Sequence, residues 1–215
     1  MSGTIRIGRK LRRRASAFLA DVKGLAALEL ALILPLALML MSLVVYGGQA
    51  YGVQRRVTLA ATTVANIFAQ ANNTNASTIT QAQLDQILAY ANLILYPYDG
   101  STAAVVVSQL WVTNSNGTAT GTVCGSWPNA NGTARPTGQQ ISVDASIAGA
   151  FSGSGTNNNP GCNNNNSNGN YIVLGEVNYP FQPTGIYFSA APITLHDSII
   201  MIPRVASPIA VLPPD

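Results

Sequence analysis

The pattern of apolar and polar positions divides the chain into a long helical part and a later part of short strands. From Leu25 to Tyr46 the residues are almost all apolar, interrupted only by Glu29, Pro35 and Ser42. This run of 22 residues is long enough to cross about 30 Å of hydrocarbon, because each helical residue adds about 1.5 Å. The pattern therefore predicts one membrane-spanning helix.

Apolar residues continue at helical spacing beyond this run, as far as about Gln70. We therefore expect the membrane helix to extend into an amphipathic helix. The pair Gly47 and Gly48 is a candidate hinge, since glycine weakens a helix locally. The predicted apolar face consists of Val53, Val57, Ala60, Ala61, Val64, Ile67 and Phe68.

A second helix and four strands are predicted downstream. Thr80 is a candidate N-cap for a helix that reaches Leu95 and is ended by Pro97. Four β-branched, partly alternating segments follow, separated by Gly, Asn and Pro. Two helices followed by strands predict an α+β head in which an antiparallel sheet packs against helix. The helix stripe is Leu84, Ile87, Leu88, Ala91 and Leu95, and the strands are 103–113, 140–147, 171–181 and 193–202.

Charge is distributed very unevenly along the 215 residues, of which 47% are hydrophobic and only 9% charged. Residues 1–24 contain seven Lys or Arg and one Asp, whereas the remainder carries a net negative charge. Positive residues before an apolar run favour a cytoplasmic amino terminus. We therefore divide the chain into a basic cytoplasmic leader (1–24), a transmembrane helix with its amphipathic extension (25–70) and an extracytoplasmic head (71–215).

Both cysteines, Cys124 and Cys162, lie in the predicted head, on the side of the membrane where disulfides persist. We interpret them as a disulfide between two Gly- and Asn-rich loops, with two separate buried thiols as the alternative. The second loop, Asn157–Asn170, is mostly asparagine and is predicted to be a surface excursion.

A cleaved secretory signal is the competing interpretation of the amino-terminal part. The residues Gly48, Gln49 and Ala50 have the small-residue spacing of a signal-peptidase site, which would make Tyr51 the new amino terminus. The apolar run is longer than the usual signal core, and a helical pattern continues beyond it. Both features favour a retained membrane helix.

Candidate enzymatic chemistry is sparse in the head. His196 is the only histidine, and it stands beside Asp197 in a predicted strand, where neighbouring side chains point to opposite faces. The sequence contains no metal-ligand spacing, nucleophile motif or phosphate-binding glycine loop. We therefore predict a protein that is not an enzyme, without cofactor, metal or identified small-molecule substrate. Nucleic-acid binding is also not expected, because the basic residues belong to the leader.

The order basic leader, Gly24, Glu29 five residues later and Pro35 within the apolar run resembles the type IV prepilin class. More narrowly, residues 12–70 resemble the TadE/TadG-like pseudopilins of tight-adherence pilus systems, and VNYPFQP at 177–183 resembles the end of that family. Leu30 follows the glutamate where the family more often has Phe or Tyr, and the Asn-rich head has no counterpart. The resemblance implies a pilin-like fold and a single-pass protein of the bacterial inner membrane, which can enter a pilus.

The resemblance also implies roles for three residues. A prepilin peptidase would cut between Gly24 and Leu25, and the new Leu25 ammonium of one subunit would pair with Glu29 of another pilin or assembly subunit. Intramembrane carboxylates are costly and usually functional, although a snorkelling or protonated Glu29 is the alternative. The expected function is therefore a minor pilin or pseudopilin, against an anchored adhesin-like protein whose polar loops contact a ligand, or an extracytoplasmic enzyme with an unrecognised site.

Overall fold

The computed structural model describes most of the predicted helices and strands. It covers residues 22–71, 78–115, 118–144, 146, 162, 171–183, 192–204 and 209–212, with the side chains of residues 22–25 and 114–118 excepted. The predicted leader 1–24 lies outside these ranges apart from its last three residues. The predicted Asn157–Asn170 loop also lies outside them apart from Cys162.

One long helix, α1, runs from Val22 to Gln70 over 49 residues. The prediction that the apolar helix continues to Gln70 is confirmed. The helix passes through Gly47 and Gly48 without interruption. The chain divides into two compact units, Met1–Gln49 and Ala50–Asp215.

In the second unit, the last part of α1 contributes the face that the sequence predicted to be apolar. Val53, Val57, Val64 and Phe68 are fully buried there, whereas Ile67 is only half-buried. Burial of several aliphatic side chains stabilises this packing by roughly 1.5–3 kcal/mol for each large one. The amphipathic extension is therefore part of the head's own core.

The second helix, α2, runs from Gln81 to Leu95 and begins with a reciprocal capping box. The Thr80 hydroxyl accepts from Gln83 N at 3.3 Å, and the Gln83 amide oxygen accepts from Thr80 N at 3.0 Å. Two backbone donors that the first helical turn leaves free are thereby satisfied. The predicted cap and the predicted helix are confirmed. All five stripe residues are buried, namely Leu84, Ile87, Leu88, Ala91 and Leu95.

Five strands form one antiparallel sheet in the order β4-β3-β2-β5-β6. Its strands are β2 (Ala104–Ser115), β3 (Thr118–Pro128), β4 (Gln140–Val143), β5 (Tyr171–Phe181) and β6 (Ile193–Met201). A separate parallel pair joins β1 (Thr78–Thr80) to β7 (Ala210–Leu212). A short 3-10 helix, Gly100–Thr102, precedes β2. The predicted α+β class with an antiparallel sheet is confirmed.

The sheet has an apolar core on each face. The first core joins α1 and α2 to one sheet face through residues such as Val105, Val107 and Val177. The second core lies on the opposite face and includes Leu110, Ile172 and Leu174. Successive strand residues point to opposite faces, so the alternation of these residues along β2 and β5 builds both cores.

α1 approaches the sheet closely at Gly175 of β5. A Cβ atom placed on Gly175 would lie 2.7 Å from the Ala65 Cβ and 3.0 Å from the Ala61 carbonyl oxygen. Two small alanines on the helix and a glycine on the strand therefore allow the two backbones to come together. The Ala-rich character of this part of α1 follows from that close contact.

The sequence interpretation missed one central feature of the sheet. β3 occupies Thr118–Pro128, a stretch interpreted as loop, and Cys124 lies within this strand instead of in a loop. The register of β2 against β3 shifts at Gln109 and Leu110, whose partners are Gly125 and Val123, so Cys124 is the additional residue of a β-bulge. The strand predicted for 140–147 ends at Val143.

Candidate membrane and assembly site

The apolar part of α1 exposes its large side chains in all directions. Thirteen large hydrophobic residues between Leu28 and Val45 are 46–74% exposed, and every described residue from Ala26 to Met41 is exposed. A helix that packs on a soluble core buries one stripe, and soluble proteins rarely expose apolar patches of this size. α1 is long and apolar enough to cross a membrane. Among the described residues this segment is left uncovered, and its composition suits an apolar environment such as a membrane.

Glu29 lies within this apolar segment and is itself exposed. Among the described residues it has no hydrogen-bond or ion-pair partner. An ionised carboxylate at the centre of a bilayer costs roughly 2.5–3.5 kcal/mol on insertion scales, and less towards the interface. A cation that reaches Glu29 in an apolar setting would therefore stabilise its ionised carboxylate.

Gly24 and Leu25 lie near the start of α1, and the side chain of Leu25 is outside the described part of the structure. Leu25 and Glu29 are four residues apart, so they lie on the same face of the helix about 6 Å apart along its axis. The helix continues on both sides of the Gly24–Leu25 peptide bond. The arrangement accommodates the predicted processing and pairing positions without testing either one.

Two polar interruptions of the apolar run are accommodated by the helix. The hydroxyl of Ser42 donates to the Leu38 carbonyl at 2.8 Å, so no polar group is left unpaired there. Pro35 lies inside the helix and has no backbone N–H to donate to the carbonyl of Ala31. That carbonyl lies about half a turn beyond Glu29, and it is a second acceptor in the same apolar region.

Comparison with known proteins adds no relationship to this picture. No protein-family model, curated protein or solved structure matches the chain. The resemblance to tight-adherence pseudopilins therefore stays a prediction from the sequence.

The predicted disulfide is confirmed: Cys124 and Cys162 are bonded, with Cα atoms 5.0 Å apart and a sequence separation of 38 residues. The bond joins the bulge of β3 to a residue outside the strands. A bulge re-aims a side chain that would otherwise follow the pleat. The bulge at Cys124 therefore gives the disulfide its attachment point on the sheet.

A second long-range pair, between Arg135 and Glu176, was not predicted. The guanidinium donates twice to the carboxylate, with both N–O distances 2.6 Å. The Glu176 side chain is 10% exposed and the Arg135 side chain 29%. Hydrogen bonding to Glu176 raises the pKa of Arg135. Because 41 residues separate the partners, no local sequence signal indicates the pair, which fastens the β3–β4 loop to β5.

Arg56 makes another contact that the sequence did not reveal. Its guanidinium donates to the carbonyl oxygens of Ile94, at 3.2 Å, and Tyr96. The same group lies 5.9 Å from the centre of the Tyr98 ring. A cation at the end of α2 satisfies carbonyls that lack helical donors and complements the helix dipole. This contact holds the last part of α1 against the end of α2.

His196, the only histidine, makes a structural contact within the sheet. Its Nδ1 lies 2.6 Å from the Asn178 amide oxygen on the neighbouring strand. Asp197 instead accepts a hydrogen bond from Thr58 of α1, so the two side chains point to opposite faces as predicted. Among the described residues no group of three or more His, Cys, Asp or Glu could hold a metal ion.

Proposed function

We propose that this protein is a membrane-anchored subunit of a tight-adherence pilus machine, a minor pilin or pseudopilin. The observation that supports the proposal is the exposure of the apolar part of α1, where Leu32 is 72% and Val44 is 74% exposed. A bilayer covers such a helix before assembly, and neighbouring helices cover it in a polymer. A helix of this kind serves both environments.

The proposed assembly step depends on Glu29. Cleavage after Gly24 would leave an ammonium on Leu25, and that group would be as costly in hydrocarbon as the carboxylate. If a neighbouring subunit is displaced by about one helical turn, its ammonium reaches Glu29, and two unpaired charges become one pair. Removing one partner of a buried pair costs roughly 3–5 kcal/mol, because the other charge stays uncompensated.

The localisation follows the same proposal. The basic leader keeps the amino terminus in the cytoplasm, and the head from Ala50 onward lies on the other side of the bacterial inner membrane. The Cys124–Cys162 disulfide supports this orientation, because disulfides persist in oxidising compartments. The partners proposed are a prepilin peptidase and other pilin or assembly subunits.

The decisive variant is Glu29→Gln, examined in cells that contain a prepilin peptidase. Insertion into membranes and leader cleavage should stay normal, because burying the amide costs less free energy than burying the ionised carboxylate. Cross-linking between subunits should be lost, since the Leu25 ammonium no longer has its partner. The matched control is Asp85→Asn, which makes the same chemical change at an exposed position of α2.

Three results would contradict or redirect the proposal. If Glu29→Gln cross-links as well as the wild type, the carboxylate has no role in assembly. An amino terminus at Tyr51 would assign the cut to ordinary signal peptidase. Normal membrane insertion without cleavage or subunit cross-links in the wild type would favour the anchored adhesin-like alternative.

A further inference from the structure

The end of α1, β1 and α2 line a cleft in the second unit of the chain, with a volume of about 290 Å³. Its apolar floor contains Ile67, Ile79 and Ile87, of which the last two are only 4% and 6% exposed. Uncharged polar side chains surround this floor. We call the site the glutamine cleft. Its polar rim consists of Gln70, Thr78, Gln83, Gln86 and Tyr90.

The residues that line the glutamine cleft carry no charge. Those on α2 are three or four positions apart, so they share one face of that helix. Asp85 is the only charged residue of α2 and lies outside that face, where it accepts a hydrogen bond from Gln81 at 3.0 Å. On α1, the residues from Val57 to Gln70 are all uncharged. A phosphate, carboxylate or ammonium ligand would therefore find no counter-charge on these two helix segments.

Two amides of the rim are each held by one hydrogen bond. The Gln83 amide oxygen accepts from Thr80 N at 3.0 Å, which leaves its amide nitrogen as a donor. The Gln70 amide nitrogen donates to the Asn66 side-chain oxygen at 2.6 Å, which leaves its amide oxygen as an acceptor. Side chains that are restrained before binding lose less rotational entropy when a ligand binds. The rim therefore offers one pre-oriented donor and one pre-oriented acceptor.

The other rim residues suit a ligand that combines apolar faces with many hydroxyl groups. Tyr90 is 44% exposed and combines an apolar ring with a hydroxyl. Gln86 adds an amide that can donate and accept, and Thr78 adds a second hydroxyl. A sugar ring presents apolar C–H groups on its faces and hydroxyls that donate and accept around its edge. An isoleucine floor surrounded by amides and hydroxyls is complementary to such a ring.

We infer that the glutamine cleft binds a neutral saccharide, with the sugar ring against the isoleucines and its hydroxyls on the glutamine amides. Sites for drug-sized ligands have volumes of about 300–1,000 Å³. The cleft of about 290 Å³ therefore holds a single sugar residue. This function goes beyond the proposed pilus role and does not depend on it, because every lining residue belongs to the second unit. A side chain of a neighbouring subunit is the competing occupant.

The test uses the full chain in a detergent without a sugar headgroup, and saturation-transfer NMR of added sugars. The probes are glucose, galactose, mannose and N-acetylglucosamine, with glucuronate and glucosamine as anionic and cationic counterparts. Tyr90→Ala removes the exposed ring, and Gln86→Ala removes one rim amide. Gln81→Ala is the matched control, because it makes the same chemical change on α2 outside the cleft. Circular dichroism checks that each variant is folded.

We expect at least one neutral sugar to bind with a Kd of about 1 mM, because a small ligand in an open site makes few contacts. Gln86→Ala should weaken binding about fivefold through the loss of one hydrogen bond. Tyr90→Ala should weaken it about tenfold through the loss of the ring, and Gln81→Ala should have no effect. The inference is overturned if no neutral sugar gives a saturable signal, or if both cleft variants bind like the wild type. Tighter binding of glucuronate or glucosamine than of every neutral sugar would also contradict it.

A side chain of a neighbouring subunit would give a different result in the same variants. Gln86→Ala and Tyr90→Ala would then weaken cross-linking between subunits, and no sugar would bind to the wild type. That combination would overturn the saccharide inference. Glu29→Gln should bind the sugar as tightly as the wild type does, since Glu29 lies in the first unit. Failure of the pilus proposal would therefore leave the saccharide inference intact, and the reverse also holds.

Discussion

The apolar part of α1 and the head use the same kinds of side chain in opposite ways. In the head, Val53, Leu88 and Leu110 are almost completely buried by other parts of the same chain. In the apolar part of α1, Leu32 and Val44 are more than 70% exposed. Packing within the head therefore accounts for the apolar residues of its sequence. The apolar part of α1 has a sequence that suits an external apolar medium such as a membrane.

Separation of the two regions should give the largest effect. A fragment that begins at Ala50 retains every described residue of both apolar cores and loses the exposed leucines from Leu28 to Leu43. We expect it to be soluble without detergent and to show one cooperative thermal transition, whereas the full chain should need detergent or lipid. Size-exclusion chromatography and circular dichroism measure both properties. A fragment that aggregates would show that the head is not self-sufficient.

Breaking the disulfide should give the next largest effect, and only in the head. The bond closes a loop with a sequence separation of 38 residues, for which chain entropy gives about 4 kcal/mol of stabilisation. Cys124→Ser combined with Cys162→Ser should lower the free energy of unfolding by up to about that amount. Denaturant unfolding of the Ala50 fragment measures this loss, and membrane insertion of the full chain should not change. An unchanged unfolding midpoint would contradict the assigned stabilising role.

The close contact of α1 with β5 predicts a smaller, position-specific effect. Gly175→Ala places a methyl group 2.7 Å from the Ala65 Cβ, and overpacking of this kind costs roughly 1–3 kcal/mol. Gly52→Ala is the matched control, because its nearest neighbour is at 3.9 Å and helical glycine is disfavoured by up to about 1 kcal/mol. We expect a lower unfolding midpoint for the first variant and an equal or higher one for the second. The reverse order would contradict the packing.

The smallest expected effect concerns acid stability of the head. Hydrogen bonds from the Ser101 hydroxyl and backbone N–H lower the pKa of Asp99. A lowered folded-state pKa contributes stability above the ordinary carboxyl value of about 3.9. That contribution is lost as the pH falls through the folded-state pKa. Asp99→Asn should therefore reduce the difference between unfolding midpoints at neutral and strongly acidic pH. An identical difference in both proteins would contradict the contribution.

The helices could be predicted from the sequence because their signals are local. The stripe of α2, the Thr80 cap and the apolar face after Val53 all depend on residues within a few turns of one another. The disulfide could be predicted because only two cysteines occur in the chain, and both lie on the same side of the expected membrane. These features need no knowledge of distant contacts.

The missed features depend on contacts between distant parts of the chain. β3 is rich in Gly and Thr and lacks a continuous apolar alternation, so its strand structure comes from pairing with β2. Arg56 and Arg135 find their partners 38 to 41 residues away. A single sequence carries no signal for such pairs. The function of Glu29 also depends on a partner outside the chain, and the sequence supplies only its position.

The central claim is that the two regions occupy different media, and spin-label accessibility tests it most directly. Both native cysteines are bonded to each other, so a single introduced cysteine can be labelled in the full chain in vesicles. Leu34→Cys should collide often with oxygen and rarely with a water-soluble nickel chelate. Asn66→Cys, on the exposed side of α1 in the head, should show the opposite preference. Equal nickel accessibility at the two positions would contradict a membrane location for the apolar part of α1.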